Sequence, residues 1–278
     1  GRERESSRSV IELEFLGTGT STGIPVIGCG CAVCRSEDPR DRRLRCSVLL
    51  RVDDRTLLID TAPDLREQML RSATGRIDGV LFTHAHADHT AGIDELRRFN
   101  IMQGQRLPVW APANAADDLR RRFDYAFRHD FPFFGGKPDL DLHVLDDARL
   151  FEAAGVVVQP IPVLHGRLPI VGYRVGDVAY VTDVKTIPDS SVPLLADLDV
   201  LVLTALRREP HVAHMSLDEA LAAIERLRPR RAFLTHLSHD MGRHAEASAG
   251  LPPHVAIAVD GLRVASPWGV PCGSGRSA

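Results

Sequence analysis

Four residues with metal-ligating side chains fall within six positions of the chain: His84, His86, Asp88 and His89. They directly follow the apolar run at residues 79–83, which predicts a buried strand. Because alternate residues of an extended chain point to the same side, the histidines of the H-x-H pair can bind one divalent ion, and the turn that follows can direct the next Asp-His pair toward a second. Active sites of α/β proteins gather at the carboxyl ends of strands, so the run predicts a metal site.

A second group of metal-ligating residues is the C-x-C-x2-C run of Cys29, Cys31 and Cys34. Three thiolates this close together fit one tetrahedral zinc ion when a fourth ligand comes from elsewhere, and a site with four protein ligands is structural. Cys46 and His239 are both candidates for the fourth ligand. The first residues contain no apolar signal segment, so we expect a cytoplasmic protein with reduced thiols, which favours metal binding over disulfides.

Short apolar runs alternate with helical patterns along the chain, and this alternation predicts an α/β layered fold. Strands are predicted over residues 11–16, 47–52, 56–60, 79–83, 156–163, 171–175, 178–182, 200–204, 231–235 and 255–259. Helices are predicted over residues 64–71, 93–100 and 217–227. The last helix has a clear start and end, because Ser216 and Glu219 form a capping-box pattern and Pro229 stops the helix.

Composition narrows the classes of protein that the chain can belong to. With 278 residues, 34 Lys+Arg against 37 Asp+Glu and a formal net charge of −3, it is not a basic protein that coats nucleic acid. Aromatic residues make up only 5%, which argues against surfaces that stack bases. No apolar stretch reaches the roughly 18 residues that a membrane helix needs. We therefore expect a globular protein with a small-molecule substrate, no membrane and no nucleic-acid partner, and we leave a homodimer open.

The H-x-H-x-D-H run resembles the signature of the metallo-β-lactamase superfamily, whose fold is an αββα sandwich of two mixed β-sheets flanked by helices. The resemblance covers about residues 11–262 and implies a binuclear metal centre. It implies that His165 is a ligand of the first metal, His236 a ligand of the second, and Asp183 the carboxylate between them. It also implies that Asp60 supports the metal-binding loop from behind.

The implied ligand sets are His84, His86 and His165 for the first metal, Asp88, His89 and His236 for the second, and Asp183 for both. Two ions about 3.5–4 Å apart could share a hydroxide with a pKa near neutrality, which would attack a phosphoryl or acyl centre. The catalytic residues are then Asp88 and, as argued below, His214. The imidazoles favour Zn²⁺, whereas the carboxylates leave Mn²⁺ and Fe²⁺ open.

A narrower resemblance rests on three motifs: the Gly-Thr-Gly-Thr loop at residues 17–20, the cysteine triplet, and the Thr-His-Leu-Ser-His run at residues 235–239. Together they are similar to the superfamily branch that contains phosphoribosyl 1,2-cyclic phosphate phosphodiesterases. That resemblance implies a structural zinc ion on the triplet, with His239 rather than Cys46 as its fourth ligand. It also implies hydrolysis of small cyclic or linear phosphodiesters.

His214 matches a histidine that this branch uses to bind phosphate or to donate a proton. It precedes the helix that begins after Ser216, and the positive end of a helix favours a bound phosphate. The same helix dipole lowers the pKa of a histidine, which opposes acid catalysis unless the negative charge of the substrate raises that pKa again.

Other functions would use the same ligands. Endonucleases that process the 3′ end of tRNA have a similar catalytic pattern, but they hold tRNA with a basic arm, which neither the net charge nor any Lys/Arg-rich insertion provides here. A non-enzymatic module that binds a phosphorylated metabolite through its metal ions is a second alternative. Thioester hydrolysis, which other branches perform, is a third.

We expect one hydrolase domain over residues 11–265, a disordered extension at residues 1–10 and a tail at residues 266–278. The segment 103–147 is the least patterned and contains a large share of the aromatic residues. We interpret it as a helical excursion with its own small hydrophobic cluster. A lid beside the active site is the alternative, since long excursions are often functional.

Overall fold

The structure is a computed structural model and describes residues 9–130, 136–146 and 148–268. Its strands are β1 (Ser9–Gly17), β2 (Ser47–Val52), β3 (Arg55–Ile59), β4 (Gly79–Leu81), β5 (Leu107–Pro112), β6 (Leu140–Leu145), β7 (Phe151–Ala153), β8 (Val156–His165), β9 (Leu168–Val175), β10 (Val178–Val181), β11 (Val200–Thr204), β12 (Arg231–Thr235), β13 (Val255–Ile257) and β14 (Arg263–Trp268). Its α-helices are α1 (Leu65–Ser72), α2 (Ala87–Thr90), α3 (Arg97–Gln103), α4 (Ala113–Arg122), α5 (Asp124–Phe127), α6 (Leu217–Leu227) and α7 (His244–Ser248).

The strands form two seven-stranded sheets, with the orders β14-β1-β2-β3-β4-β5-β6 and β13-β12-β11-β10-β9-β8-β7. Both sheets are mixed. In the first, β3 to β6 are parallel and the strands from β14 to β3 are antiparallel. In the second, β10 to β13 are parallel and β7 to β10 are antiparallel.

One hydrophobic core lies between the two sheets and two others lie under the helices. Side chains of both sheets, among them Phe15, Tyr173 and Tyr180, make up the central core. Helices α1, α3 and α4 pack on the outer face of the first sheet, and α6 and α7 pack on that of the second. This layering confirms the predicted αββα sandwich.

Strand β11 shows why the sequences of the parallel strands are continuous apolar runs. Val200 and Val202 belong to the core between the sheets, whereas Leu201 and Leu203 pack under α6. A strand that is covered on both faces needs apolar residues at every position. For the same reason the predicted bounds of β2, β11 and β12 agree with the structure to the residue.

The segment 103–147, interpreted above as an excursion or a lid, contributes two strands to the first sheet. Strands β5 and β6 pair in parallel at the sheet edge, and α4 packs on the outer face between them. Prolines hide the strand pattern of β5, which lies between β4 and β6. Alternating polar residues hide that of β6, because this edge strand is covered less than a central one. Residues 131–135 and 147 of this segment lie outside the described residues.

The chain ends differ from the predicted domain limits. Ser9 and Val10 belong to β1, and β14 extends past residue 265 to Trp268, where the two strands pair. Residues 1–8 and 269–278 of the predicted extension and tail lie outside the described residues. Within the described part of the chain, we find no helix with the length and apolar character to cross a membrane.

Candidate metal centre

The predicted ligands lie where strands of the two sheets end. Asp60 follows β3, His165 is the last residue of β8, and Asp183 and His236 follow β10 and β12 closely. At three of these residues the backbone is left-handed, with φ of +62° at Asp60, +57° at Asp183 and +61° at His236. Residues other than glycine rarely adopt this conformation, which costs about 1 kcal/mol or more and persists where the surroundings enforce it. The chain therefore turns sharply at these side chains.

The donor atoms of the predicted ligands fall into groups in which all atoms lie within 4.8 Å of one another. The groups are His84, His86 and His165; Asp88, His89, Asp183 and His236; and His165, Asp183 and His214. Residues that are far apart in the sequence thus form one continuous set of donors. The first two groups have the composition of the two metal sites that the superfamily resemblance implies.

Asp183 lies at the middle of this set. Its Oδ1 is 3.2 Å from Nε2 of His89 and 3.1 Å from Nδ1 of His236. Its Oδ2 is 3.8 Å from Nε2 of His84 and 4.0 Å from Nδ1 of His214. The two carboxylate oxygens therefore face donors of both groups, as a carboxylate between two ions must.

Asp60 holds two ligand rings from behind. Its Oδ2 accepts a hydrogen bond from Nδ1 of His89 at 2.7 Å and another from Thr83 Oγ1 at 2.8 Å. The Thr83 hydroxyl, having donated its proton to Asp60, accepts one from Nδ1 of His84 at 2.9 Å. Both rings thus carry their proton on Nδ1 and leave the lone pair of Nε2 for a metal ion, the usual role of such partners.

The other two buried ligand rings have different partners. Nδ1 of His165 donates to the carbonyl oxygen of Ala213 at 2.8 Å, which leaves Nε2 as the free nitrogen. Nε2 of His236 lies 3.1 Å from Oγ1 of Thr20, and its Nδ1 faces Asp183. In each case one nitrogen is held by the protein and the other points into the centre.

Several of these inward nitrogens are buried without a hydrogen-bond partner. Among the described residues they are Nε2 of His84 and His89 and Nδ1 of His214 and His236. A buried polar atom without a partner costs about 1–3 kcal/mol, so a cluster of them indicates a ligand between them. Neutral imidazoles with carboxylates are donors that suit divalent transition metals. The residues present therefore fit metal ions.

The electrostatics of the centre agree with this interpretation. Burial would lower the pKa of His89, but the carboxylates of Asp183 and Asp88 raise it well above its ordinary value. Burial would raise the pKa of Asp183, but the surrounding rings, led by His236, hold it well below its ordinary value. The carboxylates are thus charged and attract a cation, which His89 supplies when no metal is bound.

His214 lies against the ligand rings. Its ring centroid is 4.4 Å from that of His165 and 4.8 Å from that of His236. Burial and the neighbouring His236 lower the pKa of His214 to about 3. The ring is therefore neutral near pH 7 and has one N–H to donate.

The capping box predicted at the start of α6 is confirmed. Ser216 Oγ accepts from the backbone N–H of Glu219, and the Glu219 carboxylate accepts from the backbone N–H of Ser216. Lys185 Nζ lies 2.6 Å from the same carboxylate. The phosphate contact that the sequence suggests beside this helix start stays a prediction.

The cysteine triplet forms a separate cluster with His239. Nδ1 of His239 lies 3.4, 3.6 and 3.3 Å from Sγ of Cys29, Cys31 and Cys34. Zinc distances of about 2.3 Å to sulfur and about 2.0 Å to nitrogen put the two donors about 3.5 Å apart in a tetrahedral site. The spacing thus fits one zinc ion. Cys46 is elsewhere, buried with its Sγ 3.4 Å from Oγ1 of Thr235.

Sequence reasoning missed the residues that hold the ligands in place. Thr20, Thr83 and the carbonyl of Ala213 were not predicted, and neither was Arg122, whose guanidinium donates to the carbonyl oxygen of Ala85 at 2.5 Å. One signal was present, since a threonine directly precedes a ligand at His84, Asp183 and His236. The partners supplied by distant backbone have no sequence signal.

Comparison with known sequences finds both a family and individual relatives. The family model described as a β-lactamase superfamily domain matches residues 55–237. A Porphyromonas gingivalis protein named octanoyltransferase is 40% identical over 251 residues, which are 89% of this chain and 50% of that protein. The chain thus spans about half the length of this curated relative. Ribonuclease Z of a Mycobacterium species is 25% identical over 290 residues, covering 92% of this chain and 96% of the relative.

Comparison with solved structures finds the same architecture. A crystal structure described as a new diphosphatase from the PhnP family is 40% identical to this chain, with a TM-score of 0.86. The match covers 92% of this chain and 97% of that one. The similarity therefore extends over most of the length of both chains.

Proposed function

The chain belongs to the metallo-β-lactamase superfamily, and from that premise we propose that it is a phosphodiesterase that hydrolyses small cyclic or linear phosphodiesters with two divalent metal ions. The observation that supports this most directly is the continuous set of donors around Asp183, with inward nitrogens that have no hydrogen-bond partner among the described residues. A set of this size suits two ions rather than one.

The first ion would be held by His84, His86 and His165, the second by Asp88, His89 and His236, and Asp183 would contact both. When bound, such ions act as Lewis acids toward a phosphoryl oxygen and activate water. Zn²⁺ and Mn²⁺ both suit a set of imidazoles and carboxylates. Asp60 keeps the rings of His84 and His89 in the tautomer that leaves Nε2 free.

We assign to His214 the role of assisting the leaving oxygen. Its Nδ1 faces Asp183, so a phosphodiester bound at the centre would lie within its reach. With its pKa lowered to about 3, the free ring is neutral and donates one N–H to a phosphate oxygen. The negative charge of a bound phosphodiester raises that pKa and favours uptake of a second proton from solvent, which the imidazolium would then donate to the departing alkoxide to return to the neutral ring.

The cluster of Cys29, Cys31, Cys34 and His239 would hold a structural zinc ion. Its four donors leave no position for a substrate or a water molecule, as is typical of structural sites. His239 begins the short 3₁₀ turn of residues 239–241, three residues after His236. The site would therefore fix the loop that follows a ligand of the catalytic centre.

Two relatives suggest related substrates. The PhnP-family neighbour is described as a diphosphatase, and the Mycobacterium relative as ribonuclease Z. A diphosphate ester presents the same kind of phosphoryl centre as a phosphodiester. Cleavage of tRNA is the second candidate because the ribonuclease Z match extends over almost the whole chain. The net charge of −3 favours the small substrate over tRNA.

The test is a hydrolysis panel with the metal-loaded protein under Zn²⁺ and under Mn²⁺. The panel contains cyclic ribose phosphates, cyclic nucleotides, bis(p-nitrophenyl) phosphate, a diphosphate diester, a precursor tRNA and a thioester, with Asp183→Ala as the inactive control. Turnover of small phosphodiesters supports the proposal. Turnover of the thioester alone, or tight phosphate-ester binding without turnover under either metal, would overturn it, and salt-sensitive tRNA cleavage would favour the second candidate.

A further inference from the structure

The segment of residues 17–23, which begins with the Gly-Thr-Gly-Thr loop, contacts the metal centre from one side. Oγ1 of Thr20 lies 3.1 Å from Nε2 of His236. The backbone N–H of Thr20 donates to the carbonyl of Leu237 at 2.9 Å, and the N–H of Leu237 donates to that of Thr18 at 3.0 Å. Through these bonds the segment pairs with Leu237, which lies just beyond the end of β12 and directly follows the ligand His236.

Neutral threonine hydroxyls hold two of the buried ligand rings, His84 through Thr83 and His236 through Thr20. Thr83 donates in turn to the carboxylate of Asp60, whereas Thr20 is fixed through the backbone of its segment. The backbone of His236 is also left-handed, a conformation that must be enforced from outside. Its orientation therefore depends on how firmly Thr20 is held.

The base of the segment is anchored by a buried charge network. Thr18 Oγ1 donates to Oδ1 of Asp260 at 2.7 Å, and the backbone N–H of Leu44 donates to Oδ2 at 2.7 Å. Arg43 Nη1 donates to the same threonine hydroxyl at 2.7 Å. Thr18 and Arg43 are almost fully buried. The network fixes the backbone two residues before Thr20.

The other end of the segment is tied to the same network and leads into the cysteine cluster. Gly23 N–H donates to the carbonyl of Thr20 at 2.8 Å, and Ile24 and Arg43 exchange backbone hydrogen bonds of 2.9 and 2.8 Å. The chain then continues to the cysteine triplet, whose thiols surround His239. Two contacts therefore join the segment of residues 20–34 to the segment of residues 236–239. Thr20 contacts His236 at one end, and the three thiols surround His239 at the other.

We propose that Thr20 is a positioning residue that accepts a hydrogen bond from Nε2–H of His236 and so directs Nδ1 of this ring toward Asp183. Removing the hydroxyl frees the ring to rotate, which weakens metal binding at the group of Asp88, His89 and His236. Partners of this kind change metal affinity by about 10–100-fold, and for a neutral partner we expect about tenfold. This inference rests on the metal centre of the proposed function and not on its substrate.

The experiment measures metal affinity rather than turnover. Thr20→Val removes the hydroxyl and keeps the shape, Thr20→Ser keeps the hydroxyl, and Thr22→Val is the matched control because Thr22 is exposed and its hydroxyl reaches only the neighbouring Gly23 carbonyl. Competition of each protein with a chromophoric chelator gives the Zn²⁺ affinities, and the visible spectrum of the Co²⁺ form reports the ligand geometry. Thr20→Val should bind one ion per chain about tenfold more weakly with an altered spectrum, whereas Thr20→Ser and Thr22→Val should match the wild type.

Wild-type affinities and an unchanged Co²⁺ spectrum in Thr20→Val would overturn the inference while leaving the proposed function intact. A wild-type protein that binds no metal at the His/Asp centre would overturn both. If Thr20→Val does not fold, Thr20→Ala gives the same comparison, since it also lacks the hydroxyl and adds no bulk.

Discussion

The two clusters of metal donors in this protein are built in opposite ways. The His/Asp centre is assembled from residues 84 to 236 at the ends of strands of both sheets, and most of its donors are buried. The cluster of Cys29, Cys31, Cys34 and His239 takes three of its donors from one short loop, and two of its thiols are partly exposed.

The difference agrees with the roles that we propose for the two sites. A centre that binds substrate must keep coordination positions open, so its geometry has to be held by the protein rather than by the metal. The sheets and the partners at Asp60, Thr83, Ala213 and Thr20 supply that rigidity. Four donors that surround a zinc ion completely are ordered by the ion itself, so they need little support from the fold.

The largest expected effect tests whether the His/Asp centre alone performs the chemistry. Asp183→Ala removes the carboxylate that faces both donor groups. We expect turnover of bis(p-nitrophenyl) phosphate to fall by about a thousandfold, equivalent to about 4 kcal/mol of the activation free energy. Asp189→Ala, which alters a carboxylate that is 93% exposed, should have no effect. Circular dichroism of both variants checks the fold, and near-normal turnover by Asp183→Ala would refute the assignment.

The second expected effect separates the group that moves a proton from those that bind metal. In His214→Gln the metal content should stay at the wild-type level, because His214 lies outside the two proposed ligand sets. The turnover number should fall by about a hundredfold, the usual contribution of general acid catalysis. The exposed His254 offers the matched control, His254→Gln. A loss of one metal ion per chain in His214→Gln would instead make His214 a ligand, as its grouping with His165 and Asp183 allows.

The sequence predicts the two clusters unequally well. The donors of the His/Asp centre are recognisable because each ends or follows a strand, and parallel strands covered on both faces have continuous apolar runs, as in β11. The supporting partners are not predictable, since Thr20 and His236 are 216 positions apart and meet only through the pairing of the segment of residues 17–23 with Leu237.

Strands β5 and β6, which are neighbours at one end of the first sheet, were missed for a related reason. Strand β6 has exposed and half-buried residues in its middle, and β5 contains two prolines, so neither shows an apolar run. Their pairing with β4 and with each other is decided by tertiary contacts. In the cysteine cluster the local spacing predicts three of the four donors, whereas the choice of His239 over Cys46 came from the family resemblance and not from the spacing.

A third, smaller effect tests the structural role of the cysteine cluster. Cys31→Ser should lose one zinc ion per chain and lower the melting temperature by roughly 5–10 °C, because a ligand present at a hundred times its Kd contributes about 2.7 kcal/mol. Turnover should change by less than about tenfold. Cys46→Ala, the matched control, should keep its full zinc content, as its thiol is remote from His239. Loss of one zinc ion in Cys46→Ala would indicate that Cys46, and not His239, is the fourth ligand of the cysteine cluster.

The smallest expected effect is a difference in charge between the two clusters after the metal ions are removed with a chelator. In the His/Asp centre the positive charge is then supplied by His89, whose pKa the carboxylates raise. In the thiol cluster the charge is negative and lies on the sulfur of Cys31. The hydrogen bond from the Cys34 backbone N–H lowers the pKa of Cys31 to about 6, whereas burial raises the pKa of Cys34 to about 11. Thiolates and not thiols react with alkylating agents.

Alkylation of the metal-free protein by iodoacetamide, followed by peptide mass spectrometry between pH 5 and 8, checks this contrast. Below about pH 6 the Cys31 thiol is protonated and should react slowly; above it the thiolate prevails and the rate should reach a plateau. Cys46 is the internal control, because burial raises its pKa to about 12 and keeps it unreactive over the whole range. Zinc should suppress the reaction of Cys31 and leave Cys46 unchanged. A Cys31 rate that still rises steadily toward pH 8 would show an ordinary thiol and would contradict the idea that this cluster is prepared for a metal ion by its own backbone.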